Sequence, residues 1–186
     1  MMKKLFTLLT LLLTVCGGAW AATETTTAAL KNWTANTGTG GTVTWESDNT
    51  VAVINCGNTK GNAVTFTSDG SFKNISKIDL TVYVSGRDKT DLKVEIGTIT
   101  AGVFSATETI SSSYDSDKKV LTLGGLSISK NTTNTSGSVT ISPSVSGYVR
   151  ITMANASGSS GKTGKLSNVK ITSEPKTLSS ATQHFA

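Results

Sequence analysis

Every second residue from Ile78 to Val84 is aliphatic: Ile78, Leu80, Val82 and Val84 alternate with Asp79, Thr81 and Tyr83. A period of two places the aliphatic residues on one face of an extended strand and the polar ones on the other, which no helix can do. Leu92, Val94 and Ile96 repeat the pattern with Lys93 and Glu95 turned outward, and the polar, Gly-containing stretch Ser85–Asp91 between the two runs predicts a hairpin. Further runs stand at Val43–Trp45, Val51–Ile54, Ala63–Thr67, Lys119–Leu123, Leu126–Ser129, Val139–Ser142, Tyr148–Met153 and Val169–Thr172. Asn49-Thr50, Asp69-Gly70, Gly124-Gly125, Ser136-Gly137 and the stretch 158–164 punctuate them. The expected fold is an all-β, antiparallel sandwich of about nine to eleven strands.

Composition points the same way. The chain carries 24 serines and 32 threonines among 186 residues, but only 16% charged residues. Helix faces need Leu, Ala, Glu and Lys in quantity, whereas Thr suits a pleated surface. Beyond Thr27–Asn32 nothing after the N-terminal region sustains a helical period.

The N-terminus reads as an export address. Lys3 and Lys4 precede an apolar run, Leu5 to Val15, and Ala19-Trp20-Ala21 offers small residues at the −3 and −1 positions of a cleavage site. The run is well short of the roughly 20 residues of a permanent membrane helix. Residues 1–21 are therefore expected to leave as a signal peptide, with the mature chain starting at Ala22, secreted or displayed on the cell surface. Leu13-Thr14-Val15-Cys16-Gly17 has the outline of a lipoprotein box, but the β-branched Val15 stands where a small residue belongs, so cleavage after Ala21 is preferred. Loss of Lys3 and Lys4 lowers the net charge from +5 to +3, and the longest basic run left is Lys118-Lys119. That scatter argues against nucleic-acid binding. Cleavage also removes Cys16, leaving Cys56 without a partner in the chain and expected as a buried, reduced thiol.

Catalytic chemistry is poorly supplied. The single His is His184, two residues from the C-terminus, which argues against a Ser-His-Asp site, and one Cys with one tail His argues against zinc. Gly158-Ser159-Ser160-Gly161-Lys162-Thr163-Gly164 has the letters of a phosphate loop without its spacing or its following helix. Outward carboxylates such as Asp79 and Glu95 are ordinary on strands, so a glycosidase pair is not assigned. The expectation is a chain that is not an enzyme.

Asn62-Ala63-Val64-Thr65-Phe66, Asn74-Ile75-Ser76-Lys77-Ile78 and Leu166-Ser167-Asn168-Val169-Lys170-Ile171 together resemble a jelly-roll module of secreted Bacteroidetes proteins, similar to galactose-binding and carbohydrate-binding domains. The resemblance implies a non-catalytic accessory module over residues 28–174 whose partner is a polysaccharide or glycan. A structural or adhesive spacer without a small ligand is the alternative. It also implies either no cofactor or a structural calcium ion, for which Asp115 and Asp117 offer hard oxygen donors on a turn. Tyr83 and Tyr114 are the candidate stacking residues, and Arg87 and Asp115 the candidate polar contacts. Glu174-Pro175-Lys176-Thr177-Leu178 resembles the opening of a bacterial immunoglobulin-like repeat, so residues 175–186 read as a disordered tail or a truncated linker to further modules.

Overall fold

The structure is a computed structural model and describes residues 23–129, 134–158 and 163–175. The expected signal peptide, Cys16 and nearly all of the expected tail lie outside the described residues. Within them the chain forms an antiparallel jelly-roll β-sandwich. Its strands are β1 Glu24–Thr27, β2 Thr34–Thr37, β3 Thr42–Glu46, β4 Val51–Asn55, β5 Ala63–Thr67, β6 Phe72–Val84, β7 Thr90–Thr100, β8 Val103–Asp115, β9 Val120–Leu123, β10 Leu126–Ile128, β11 Thr135–Asn155 and β12 Thr163–Glu174. Twelve strands exceed the expected count, and β1 precedes the expected start at residue 28. The helical period seen at Thr27–Asn32 shrinks to one 3-10 turn, Leu30–Asn32.

One sheet runs β3-β4-β12-β6-β11 and the other β2-β5-β11-β7-β8. Strand β11 belongs to both. Residues 135–147 pair with β6, whereas Tyr148–Asn155 lie between β5 and β7. Register shifts at Thr140, Val145 and Gly147, with a cis peptide at Ser142-Pro143, mark where the strand passes from one sheet to the other. Bulges of this kind bend a strand and raise its twist. The sequence shows this strand as two runs because the crossing residues, Ser142 to Ser144, are exposed. β1 lies along β12 beyond the end of β4, and the β9–β10 hairpin continues from the last residues of β8.

The alternation in β6 decides what lies between the sheets. Ile78, Leu80, Val82 and Val84 are all buried. Leu80 and Val82, with Ile54 and Leu166 of the same sheet, face Leu92, Ile151 and Met153 of the other across a residual void of only about 10 Å³. At roughly 1.5–3 kcal/mol per buried aliphatic side chain, this interface is the main source of stability in a fold without a disulfide among its described residues. Trp33 is buried. Trp45 packs half-buried against the core, edge-on to Phe66 with ring centroids 6.3 Å apart at 77°. Cys56 is fully buried and its thiol donates to the Met153 carbonyl at 3.2 Å; burial pushes its pKa up to about 11.

Two positions show how backbone demands select residues. The β7–β8 hairpin closes through Ala101 and Gly102, both at positive φ (50° and 79°), the geometry of a two-residue turn that follows strand twist. At Gly97, a Cβ would stand 2.0 Å from the Ser105 carbonyl oxygen, so only hydrogen fits.

Candidate functional site

Because β6 buries Ile78, Leu80 and Val82, it presents Lys77, Asp79, Thr81 and Tyr83 on the outer face of its sheet. Register then brings polar groups to both sides of it. On β11, Ser138 lies opposite Asp79 and Ser136 opposite Thr81. On β12, Lys170 lies opposite Asp79 and Ser167 opposite Thr81. Between Ser167 and Lys170, β12 bulges. The extra residue lets Leu166 and Val169 both point into the core while Asn168, at a φ of 52°, turns outward.

The result is an open polar groove of about 550 Å³ whose lining includes Asp79, Thr81, Ser136, Ser138, Asn168 and Lys170. Its floor is organised by its own hydrogen bonds. Ser138 Oγ donates to Asp79 Oδ1, the hydroxyls of Thr81 and Ser136 meet at 2.8 Å, and Asn168 Nδ2 donates to Thr81 Oγ1 at 3.3 Å. Lys77 Nζ stands 3.0 Å from Asp79 Oδ2. The Ser138 hydrogen bond, helped by Lys77 and the more distant Lys170, holds the Asp79 carboxyl below its usual pKa against an opposing desolvation effect, so it is ionised at neutral pH. Such a surface offers hydroxyl, amide and carboxylate groups in fixed positions, suited to the hydroxyl groups of a polyol.

A second groove, of about 530 Å³, adjoins the first. The segment 27–32 and the β3–β4 turn residues Asp48, Asn49 and Thr50 line it, and Asn168 lines both grooves. Ser47, Asp48 and Asn49 all hold positive φ (51°, 55° and 69°), a costly run for residues with a Cβ.

Of the residues singled out from sequence, Tyr83 alone belongs to this face. It is half-buried, two residues along β6 from Thr81, with Lys165 opposite it on β12. Arg87 sits in the 3-10 turn Arg87–Lys89 and donates from Nη1 to the Ser129 carbonyl at 3.1 Å. Tyr114 lies at the far end of β8, opposite Leu121, half-buried against the hydrophobic core. Asp115 serves its own turn. Its Oδ1 accepts from the backbone N–H groups of Asp117 and Lys118, each at 3.0 Å, and its Oδ2 pairs with Lys118 Nζ at 3.3 Å. Those contacts, the Lys118 N–H first, lower its pKa. Among the described residues no three His, Cys, Asp or Glu side chains gather where they could hold a metal ion. No helix among the described residues is long and apolar enough to cross a membrane.

Asn168 and Lys170, which line the first groove, are not singled out by strand alternation. The available signal was the spacing Leu166…Val169…Ile171, three and then two, which marks a bulge inside an otherwise alternating strand.

No protein-family model matches the chain, and no curated protein matches it in sequence. Solved structures match in fold. A family 29 carbohydrate-binding module superposes with a TM-score of 0.53 at 13% identity, covering 81% of this chain and 89% of that one. A variant of a family 29 module complexed with mannohexaose gives 0.51 at 11% identity, over 81% of this chain and 92% of that one. Another variant, complexed with cellulohexaose, gives 0.50 at 12% identity, over 81% and 91%. The likeness is one of fold, and it covers nearly the whole of each module.

Proposed function

We propose that this chain is a non-catalytic glycan-binding module of an exported protein, and that it takes saccharide in the groove over Asp79, Thr81, Ser136, Ser138 and Asn168. The observation that carries the reading is the groove itself. It is an open polar surface on the middle strands of a sheet, its side chains positioned by mutual hydrogen bonds, with Tyr83 on the same strand and face. Pre-positioned polar groups reduce the ordering cost of binding, and an aromatic ring beside them supplies an apolar face for a sugar ring. The fold shared with carbohydrate-binding modules, two of them solved with mannohexaose or cellulohexaose, supports the ligand class. Export follows from the N-terminal pattern Lys3-Lys4, Leu5 to Val15 and Ala19-Trp20-Ala21. Single sites of this open kind bind weakly and gain by repetition on one surface, which suits an accessory module beside others.

The test is a glycan array probed with the purified protein, with and without calcium, followed by titration of each hit. Tyr83→Ala and Asp79→Ala should each weaken binding about tenfold, roughly 1.4 kcal/mol, while leaving the far-UV dichroism of a β protein unchanged. A blank array across plant, host and microbial glycans would refute the reading and favour a spacer. N-terminal sequencing of the exported product should begin at Ala22; a lipidated Cys16 would overturn that assignment.

A further inference from the structure

We infer that the groove selects a negatively charged sugar unit, a uronate or a sulfate ester, with Lys170 as the residue that determines the selection. The inference rests on the glycan reading above and follows from the charge balance of the groove. Asp79 is the one carboxylate in its lining, and both of its oxygens are engaged, Oδ1 by Ser138 and Oδ2 by Lys77. Lys170 is the second charged group of the lining. It is exposed and forms no ion pair within 4 Å among the described residues, whereas Lys165 and Lys73, on the same pair of strands, are matched by Glu46 and Glu174. All twelve Asp and Glu residues of the chain lie in the described segments, so no Asp or Glu elsewhere in the sequence remains to neutralise it. With Asp79, Lys77 and Lys170 counted together, the groove carries one excess positive charge.

Position strengthens the argument. Lys170 is flanked in register by Asp79 on one side and by Thr27 on the other. Asp79 lines the first groove and Thr27 the second, and Asn168, two residues from Lys170, lines both. A saccharide chain running from one groove into the other therefore passes Lys170 at the junction. A compact ammonium there meets an oxyanion substituent with a charge-assisted hydrogen bond, about twice as strong as a neutral one. The uncharged donors and acceptors around it hold the ring hydroxyls.

The experiment is affinity electrophoresis and calorimetry of the purified protein on polygalacturonate and alginate (carboxylate), κ-carrageenan (sulfate), and neutral galactan, glucan and mannan. Each is measured at low and high salt. The expected result is binding about tenfold tighter to a carboxylated or sulfated chain than to the neutral ones, a preference that salt reduces. Lys170→Gln should abolish the preference, bringing acidic and neutral chains to equal affinity, and should remove its salt dependence. Lys93→Gln, the same charge change on the outer face of the other sheet, should keep both. Comparison of the carboxylate and sulfate arms names the anion. Equal binding to neutral and acidic chains, or a preference that Lys170→Gln leaves intact, would overturn the selection while leaving the glycan reading standing. An equal loss in Lys93→Gln would reduce the effect to net charge and also overturn it. Binding to none of the polysaccharides would remove the glycan reading itself.

Discussion

Asn155, the last residue of β11, offers the sharpest test of how this sandwich closes at one end. The residue is fully buried, and its side chain holds two loops at once. Its Nδ2 donates to the Gly57 carbonyl at 2.8 Å, and its Oδ1 accepts from the backbone N–H groups of Ser157 and Gly158, each at 3.1 Å. Replacement by Ala strands these partners unequally. Ser157 and Gly158 are exposed, so their N–H groups regain water and lose only a few tenths of a kcal/mol each. Gly57 is buried, and its carbonyl then lacks a partner, a penalty of about 1–3 kcal/mol. The sum is about 2–3 kcal/mol, a fall in Tm of about 6–10 °C for a domain of this size.

Asn155→Asp separates the hydrogen-bond argument from simple loss of packing. Ionised, the Asp side chain keeps an acceptor for Ser157 and Gly158 but turns a second oxygen on the Gly57 carbonyl, and the two repel. Protonated, it donates to that carbonyl as the amide does. Its folded pKa is therefore raised above the unfolded value of about 3.9. A raised folded pKa gives stability that is fully present below the unfolded pKa and is lost as pH rises through the folded one. Relative to the unsubstituted protein at each pH, Asn155→Asp should be destabilised at pH 8 and recover towards pH 4, as read from urea unfolding. An Ala variant within about 0.5 kcal/mol of the parent, or an Asp variant with a pH-independent deficit, would refute the account of this bracket.

Three further outcomes follow from local geometry. Gly97→Ala puts a methyl group 2.0 Å from the Ser105 carbonyl oxygen, a backbone atom that cannot swing away; the β7–β8 pairing should shift and stability drop by about 2 kcal/mol or more in urea unfolding. Cys56, buried and with its pKa pushed up to about 11, should resist iodoacetamide in the folded protein and react once urea unfolds it, as peptide mapping will show; rapid native labelling would contradict its burial. The lowered pKa of Asp79 means that its contribution to stability is present above the unfolded carboxyl pKa and is lost as pH falls through the lower folded value. Ser138→Ala should move the NMR titration of that carboxyl upward, because the Ser138 hydrogen bond is the largest cause of the shift.

What the sequence discloses here depends on whether a strand keeps one face to the core along its length. From Ile78 to Val84 β6 does, and its aliphatic period of two foretells both the buried row and the outward row that carries Asp79, Thr81 and Tyr83; before that stretch the parity breaks, because Ile75 is buried as well, next to Asn74 at a φ of 48°. β8 does not. Phe104 and Ile110 have the same parity, yet the bulge opposite Ile96 and Gly97 puts them on opposite faces, Phe104 stacked 4.0 Å from the Arg150 guanidinium and Ile110 against the core. The alternation is thereby cancelled in the letters while being obeyed in space, and the strand escapes a periodicity reading. β1 and β2 escape for a different reason. Glu24–Thr27 and Thr34–Thr37 are exposed along their whole length, so hydrogen bonding to β12 and β5 holds them and no apolar row marks them. The site divides along the same line. Its β6 half was legible as outward polar residues of a regular strand, while Asn168 and Lys170 owe their place to a bulge and to a pairing some ninety residues away. The segments Ile75–Thr81 and Leu166–Thr172, alike in sequence, prove to be neighbours that run antiparallel, entering the sheet from opposite ends. Their likeness follows from the common need to bury one face against the second sheet. Their differences fall on the open face, at Asp79 against Lys170, where a ligand would read them.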